Sequence, residues 1–149
     1  MRDIKFRAWD KKRKKMWYPN AGEVDFYAIG MSGALYMLDE NGNYDYTEEF
    51  EKMIFMQFTG LKDSNGKEIY EGDIIKFYEN NPEKWIDPDS ISTLVEWDDY
   101  AMCMSIGDEG LLFPIGEGIE VVKRDGFDYY KVIGNKFQNP ELLKEVENG

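Results

Sequence analysis

The segment MIFMQFTGLKDSNGKEIYEGDIIKFYE, residues 53–79, carries the clearest fold signal in the chain. Three short apolar runs are separated by Asn65-Gly66 and by Glu71-Gly72-Asp73. Asn-Gly between apolar runs favours a tight hairpin turn because both residues tolerate positive φ. The segment therefore predicts three short strands joined by two turns. Its part GKEIYEGDIIKF, together with the later strand TLVEW, is similar to the strand pattern of SH3-like barrels.

Short apolar runs and turn residues continue along most of the chain. Asn41-Gly42 predicts another hairpin after residues 23–38, residues 101–116 predict an irregular Met-rich hairpin, and residues 118–137 predict a strand pair about Asp125-Gly126. Residues 80–90 are expected to form a loop. For residues 47–53 the sequence is compatible with either a helix or a strand, and the choice between them stays open. This organisation predicts a mainly β fold, a small, antiparallel, partly open barrel in a single domain over residues 1–149.

The C-terminal residues differ from the rest. In NPELLKEV, Asn139 suits a helix cap and Pro140 suits the first helical position. Glu141 then favours the positive end of the helix dipole. The chain is therefore expected to end in a short helix.

The N-terminal segment combines a hairpin pattern with a run of positive charge. In IKFRAW, Ile4, Phe6 and Ala8 alternate with a mostly cationic face, which predicts a half-buried strand. MWYP predicts the strand that follows, and DKKRKK holds five consecutive cations between the two strands. The cations are therefore expected in the turn of an N-terminal hairpin.

Charge is distributed unevenly. Residues 1–15 hold eight basic and two acidic side chains, a net charge of +6, whereas the remaining residues have a net charge of −18. Most of the surface should therefore repel a phosphate backbone, so that nucleic acid is possible but disfavoured as a partner. The candidate interaction residues lie in the basic segment and are Lys5, Arg7, Trp9, Lys11, Lys12, Arg13, Lys14, Lys15 and Trp17.

The chain lacks the residues that many common catalytic mechanisms require. The chain has no histidine and one cysteine, Cys103, so Ser-His and Cys-His catalysis and an internal disulfide are excluded. Asp63 and its neighbours fail the calcium-loop pattern, because Glu68 replaces the required glycine, and turn chemistry is the preferred interpretation. Trp97 and Cys103 are expected in the core. We predict no catalytic residue, metal, cofactor or membrane segment, and a cytoplasmic location.

Several ordered motifs resemble one known family. They are IKFRAWD with KKMWYP, MQFTGLKDSNGKEIYEGDIIKF, VEWDD and VIGNKFQNPELL. Together they resemble the YopX family of phage and prophage proteins over nearly the whole chain. The resemblance implies a phage or prophage origin and self-association, and it brings no catalytic residues with it.

Three functional hypotheses follow. The first is a non-enzymatic phage accessory protein that binds a host or phage protein or assembles into a homo-oligomer. The second is an acidic mimic of DNA that inhibits a host nuclease or DNA-binding protein. The third is nucleic-acid binding through the basic N-terminal hairpin.

Overall fold

The structure is a computed structural model of the 149-residue chain. The chain forms two compact units, which we call the N-terminal unit (Lys5–Met56) and the larger unit (Met1–Ile4 with Gln57–Gly149). The predicted mainly β, antiparallel, barrel-like fold class is confirmed. The described residues are 4–18, 26–29, 35–38, 41, 44–45, 53–78, 91–98, 103–108, 111–124 and 129–147.

The N-terminal unit begins with the predicted hairpin. Strands Phe6–Asp10 (β1) and Lys15–Trp17 (β2) pair antiparallel, with Ala8 opposite Trp17 and Asp10 opposite Lys15. β1 is the inner strand, because strand β6, which begins at Met53, pairs along its other side. The expected hairpin is confirmed, with the cationic run at its turn.

A second antiparallel sheet in this unit contains strands Phe26–Ile29 (β3), Leu35–Leu38 (β4) and Tyr44–Asp45 (β5). β4 and β5 flank Asn41, which confirms the predicted hairpin at this point. Met53 starts a strand, whereas residues 47–52, which make up most of the segment left open between helix and strand, lie outside the described residues.

The larger unit contains most of the segment that carried the fold signal, from Gln57 onward. Its two turns have positive φ at Gly66 (83°) and Gly72 (80°), as the turn chemistry predicted. The predicted loop at residues 80–90 lies outside the described residues. The strands of this segment are Met53–Lys62 (β6), Glu68–Tyr70 (β7) and Asp73–Tyr78 (β8).

Two three-stranded antiparallel sheets complete the larger unit, with strand orders β13-β8-β9 and β10-β11-β12. The remaining elements are Ile91–Leu94 (β9), Glu96–Asp98 (β10), Cys103–Asp108 (β11), Leu111–Pro114 (β12), Ile115–Arg124 (α1), Tyr129–Asn135 (β13), a 3-10 turn at Pro140–Leu142 and Leu143–Glu147 (α2).

The hydrophobic core of the larger unit combines side chains from strands β6, β7, β8 and β13, from Val95 between β9 and β10, and from helix α1. Tyr130 and Val132 of β13 pack against this core while remaining partly exposed. The buried members are Ile69, Ile75, Phe77, Val95, Ile115 and Ile119.

One predicted strand is instead a helix. Residues 118–124 belong to α1, which packs against β11 and β12, and only the second strand of the predicted pair forms, as β13. Ile115 and Ile119 are buried at helical spacing, 7% and 4% exposed, and Val122 continues that spacing in the sequence. In this short run, the helical spacing of the apolar residues therefore outweighs the strand preference of its β-branched side chains.

The C-terminal helix is confirmed, but Asn139 does not cap it with its side chain. Pro140 starts a 3-10 turn, and the Asn139 carbonyl accepts the Leu142 N–H at 3.0 Å. The Asn139 Oδ1 accepts the backbone N–H of Asn135 at 3.3 Å instead. This side chain therefore joins the end of β13 to the helix.

The expected burial of Trp97 is wrong. Trp97 lies in β10 opposite Met104 and is 45% exposed. Cys103 begins β11, and its side chain lies outside what the structure describes, so its expected burial stays a prediction.

Candidate interaction surface at the cationic turn

The cationic run forms the turn between β1 and β2. Asp10 and Lys15 form the last strand pair, so that the four residues Lys11–Lys14 make the connection. Lys14 has a φ of 53°, which lies in the left-handed region of the backbone. Residues other than glycine adopt this region at a steric cost. The turn therefore brings four consecutive cations to the tip of the hairpin, with Lys15 at the start of β2.

The buried Asp10 side chain holds this turn in place through hydrogen bonds. Its Oδ1 accepts the backbone N–H groups of Lys12 at 2.9 Å and of Arg13 at 2.8 Å. The Arg13 guanidinium donates to Oδ2 at 2.9 Å. An Asp that accepts backbone N–H groups two and three residues ahead is a common way to fix a turn.

The ionisation of Asp10 follows from opposing effects. Burial alone raises the pKa of this carboxyl, but the hydrogen bonds from Arg13 and Lys12 and the positive charge of Arg13 outweigh it, so the pKa lies below its ordinary value of 3.8. At neutral pH a carboxylate therefore sits under the turn and holds it in one conformation.

The cations themselves face solvent. Lys11, Lys12, Arg13, Lys14 and Lys15 are all exposed. The Lys15 Nζ lies 4.1 Å from the centre of the half-buried Trp17 ring. Tyr18, the next residue, is 45% exposed. Thus, the turn displays a cluster of cations with the Trp17 ring against Lys15, and the exposed Tyr18 follows in the chain.

Arg7 and Trp9 do not belong to this surface. They are 3% and 6% exposed, whereas Ile4, which was expected on the buried face, is 74% exposed. The expected alternation fails because four consecutive residues of β1, residues 7–10, are buried, so both faces of the strand are covered. Lys5 is half-buried and lies just before β1.

We refer to the residues that the structure does bring together as the cationic turn: Lys11, Lys12, Arg13, Lys14, Lys15 and Trp17. Sequence reasoning missed the residue that fixes it, Asp10. Its signal was present, since an Asp directly before a polar run that connects two strands is typical of such turns.

The acidic segment around Asp63 has a structural role, as predicted. Asp63 Oδ1 accepts the backbone N–H groups of Asn65 and Lys67, both at 2.9 Å, and Oδ2 accepts the N–H of Val132 at 3.0 Å. The carboxylate thereby joins the turn to the edge of β13. Among the described residues, no three Cys, Asp or Glu side chains lie close enough to hold a metal ion.

Comparison with known proteins places the chain in a family. The family model described as YopX protein matches residues 5–144. The chain belongs to the YopX family. No curated protein matches it. In the part of the chain that the structure describes, no helix is both long enough and apolar enough to cross a membrane.

A solved structure extends this family relationship to the fold. The chain is similar to protein EF1440 from Enterococcus faecalis, known from a crystal structure, with 31% sequence identity and a TM-score of 0.58. The similarity covers 96% of this chain and 99% of that one. The YopX chain described here and EF1440 thus share their architecture over nearly their whole lengths.

Proposed function

We propose that this YopX-family protein is a non-enzymatic binding module whose cationic turn docks on an acidic protein surface, with a second copy of the chain as its first partner. One observation carries the proposal. Five exposed cations sit on a turn fixed by a buried carboxylate, in a chain with a net charge of −12. Complementary charge favours association between this turn and the acidic remainder of another copy.

The order imposed on the turn supports binding. Long flexible cations lose side-chain and backbone entropy when they dock, and a turn that is already ordered loses less. Asp10 fixes the backbone of Lys12 and Arg13, and the Trp17 ring supports Lys15. The turn therefore presents its charges in a defined arrangement before a partner arrives.

We further propose that the protein originates from a phage or prophage and acts in the bacterial cytoplasm. Membership of the YopX family and the bacterial source of the similar crystal structure support this setting. The prediction of one domain over residues 1–149 stays a prediction beside the two compact units.

The test is the oligomeric state of a variant that has lost three of the five cations of the turn. Lys11→Ser, Lys12→Ser and Lys14→Asn form the neutral-turn variant, in which Arg13 keeps its ion pair with Asp10 and Lys15 in β2 is unchanged. The matched control carries Lys67→Ser, Lys136→Ser and Lys144→Ser, which remove the same charge from the larger unit. Light scattering after size exclusion should show self-association in the wild type and the control.

The neutral-turn variant should dissociate about tenfold more readily, because three exposed ion pairs contribute about 0.5 kcal/mol each. A wild type that stays monomeric and captures no protein from a bacterial lysate would contradict the proposal. Equal behaviour of the two triple variants would show that net charge, and not the turn, drives association.

Nucleic-acid binding through the same turn is the second candidate. The exposed Tyr18 and the half-buried Trp17 beside the cations favour it, since aromatic rings next to positive charge can stack on unpaired bases. Anisotropy of a labelled single-stranded oligonucleotide at low salt separates the candidates. Binding that the neutral-turn variant loses and the control keeps would support this second function.

A further inference from the structure

A second cationic site lies in the larger unit, on the sheet formed by β13, β8 and β9. Tyr129 pairs with Tyr78, and Lys131 pairs with Lys76. The neighbouring pairs, which include Tyr130 with Phe77, point their side chains toward the hydrophobic core. Because side chains alternate along strands, the two tyrosines and two lysines share the opposite face.

The lysine pair is unusual for a folding interaction. Like charges directly opposite each other destabilise an antiparallel pair. Here they occur in a chain that holds 30 acidic and 18 basic residues, so that acidic cross-strand neighbours are the more abundant choice. Two ammonium groups at one cross-strand position form a favourable place for an anion.

The aromatic pair holds one lysine in position. The Lys131 Nζ lies 4.9 Å from the centre of the Tyr129 ring and 6.0 Å from that of Tyr78. The two rings are 6.1 Å apart with planes inclined by 58°. The Tyr129 hydroxyl donates to Asn65 Oδ1 at 2.7 Å, which fixes the ring under the ammonium group. This order lowers the entropy cost of binding.

We propose that Lys76, Lys131, Tyr78 and Tyr129 form a docking surface for an acidic peptide segment of a partner protein. Carboxylates of the segment bind the two ammonium groups, of which the tyrosine rings hold that of Lys131 in position. This surface is independent of the cationic turn, since all four residues belong to the larger unit.

Charge and ring geometry favour a peptide over a nucleic acid. The Lys131 ammonium already lies over both rings, so that a base could stack there only by displacing it. A polynucleotide also adds one charge per nucleotide beyond the patch, where the net charge of residues 16–149 is −18. An acidic segment brings only the few carboxylates that the patch requires.

The experiment uses the full chain and a labelled synthetic peptide of alternating glutamate and alanine, with the glutamine peptide as the uncharged control. Anisotropy at about 0.05 M salt, where screening is weak, should detect the glutamate peptide only. Lys131→Met, which keeps the aliphatic length, should weaken binding by about tenfold or more, the loss of one charge-assisted hydrogen bond.

Lys136→Met is the matched control, because its Nζ also lies near a ring, 5.4 Å from the centre of Phe137, but outside the docking surface. It should leave binding within about twofold. Lys76→Met provides a second variant with the same expectation as Lys131→Met, and thermal unfolding verifies that each variant folds. The neutral-turn variant should still bind, which separates failure of this inference from failure of the proposed function.

Three results would overturn the inference. The wild type does not bind the glutamate peptide, or Lys131→Met and Lys136→Met weaken it equally, which shows a general charge effect. The third is a change of occupant: a single-stranded oligonucleotide binds more tightly than the peptide, or Lys131→Met changes only the oligomeric state.

Discussion

The Asp10 carboxylate accepts two hydrogen bonds from Arg13, one from its backbone N–H at 2.8 Å and one from its guanidinium at 2.9 Å. The same side chain therefore fixes both the path of the turn and the position of one of its cations. Arg13 is 54% exposed, whereas the Asp10 side chain is 2% exposed. A buried anion thus holds an exposed cationic turn, and the proposed function depends on this arrangement.

The first prediction concerns the strength of this anchor. Asp10→Ala should lower the free energy of unfolding by about 1 to 3 kcal/mol, because backbone N–H groups in the turn lose a charged acceptor. Chemical unfolding followed by tryptophan fluorescence measures it. Glu96→Gln, at an exposed position, should change stability by less than about 0.5 kcal/mol. Equal effects of the two substitutions would show that Asp10 does not anchor the turn.

The second prediction is the pH dependence of that contribution. Because the pKa of Asp10 is lower in the folded protein than its ordinary value of 3.8, ionised Asp10 stabilises the fold above pH 3.8. The contribution falls as the pH drops below 3.8 and is lost once it passes the folded pKa. The difference in unfolding free energy between wild type and Asp10→Asn should therefore be constant near neutrality and shrink in acid. A difference that grows in acid would contradict the assignment.

The third prediction concerns backbone strain at the turn. Lys14 has a φ of 53°, where glycine avoids the steric cost that a side chain carries. Lys14→Gly should raise the free energy of unfolding by up to about 1 kcal/mol, whereas Lys12→Gly should lower it, because it adds unfolded-state entropy without relieving strain. Thermal unfolding compares the two variants, which carry the same charge. A loss of stability in both would contradict the strained conformation.

The fourth prediction compares two glycines of the larger unit. A Cβ on Gly134 would lie 2.5 Å from Asn139 Oδ1 and 2.9 Å from Leu142 Cδ1, so that Gly134→Ala should cost about 1 to 3 kcal/mol. A Cβ on Gly116, in α1, would meet no atom within 4 Å, and Gly116→Ala should add up to about 1 kcal/mol through helix propensity. Thermal unfolding measures both. Stabilisation by Gly134→Ala would show that the packing of β13 against the C-terminal turn is incorrect.

The sequence predicted the elements that local turn chemistry specifies. Gly66 and Gly72 adopt positive φ, and Asn41 lies between paired strands, because these residues determine their turns without help from distant contacts. Residues 118–124, which belong to α1, were mistaken for a strand because apolar residues at helical spacing are hard to distinguish from a β pattern in a short segment.

The sequence predicted where the candidate surface lies, but not all of the residues that form it. The turn itself follows from polar residues between two apolar runs, but the burial of Arg7 and Trp9 depends on what packs against each face of β1, which local patterns do not reveal. The pairing of Lys76 with Lys131 is also non-local, since 54 residues separate them in the sequence. Packing and cross-strand register therefore determine these two features, whereas the role of Asp10 could have been read from the local sequence.

The salt dependence of self-association tests the central claim most directly. Dissociation constants from sedimentation velocity, measured between about 0.05 and about 0.5 M salt, should rise steeply with salt for the wild type. They should rise equally steeply for the control, in which Lys67, Lys136 and Lys144 are replaced by serine. The neutral-turn variant should associate weakly at every salt concentration, with a much flatter dependence. The same steep dependence in the neutral-turn variant would contradict the assignment of binding to the cationic turn.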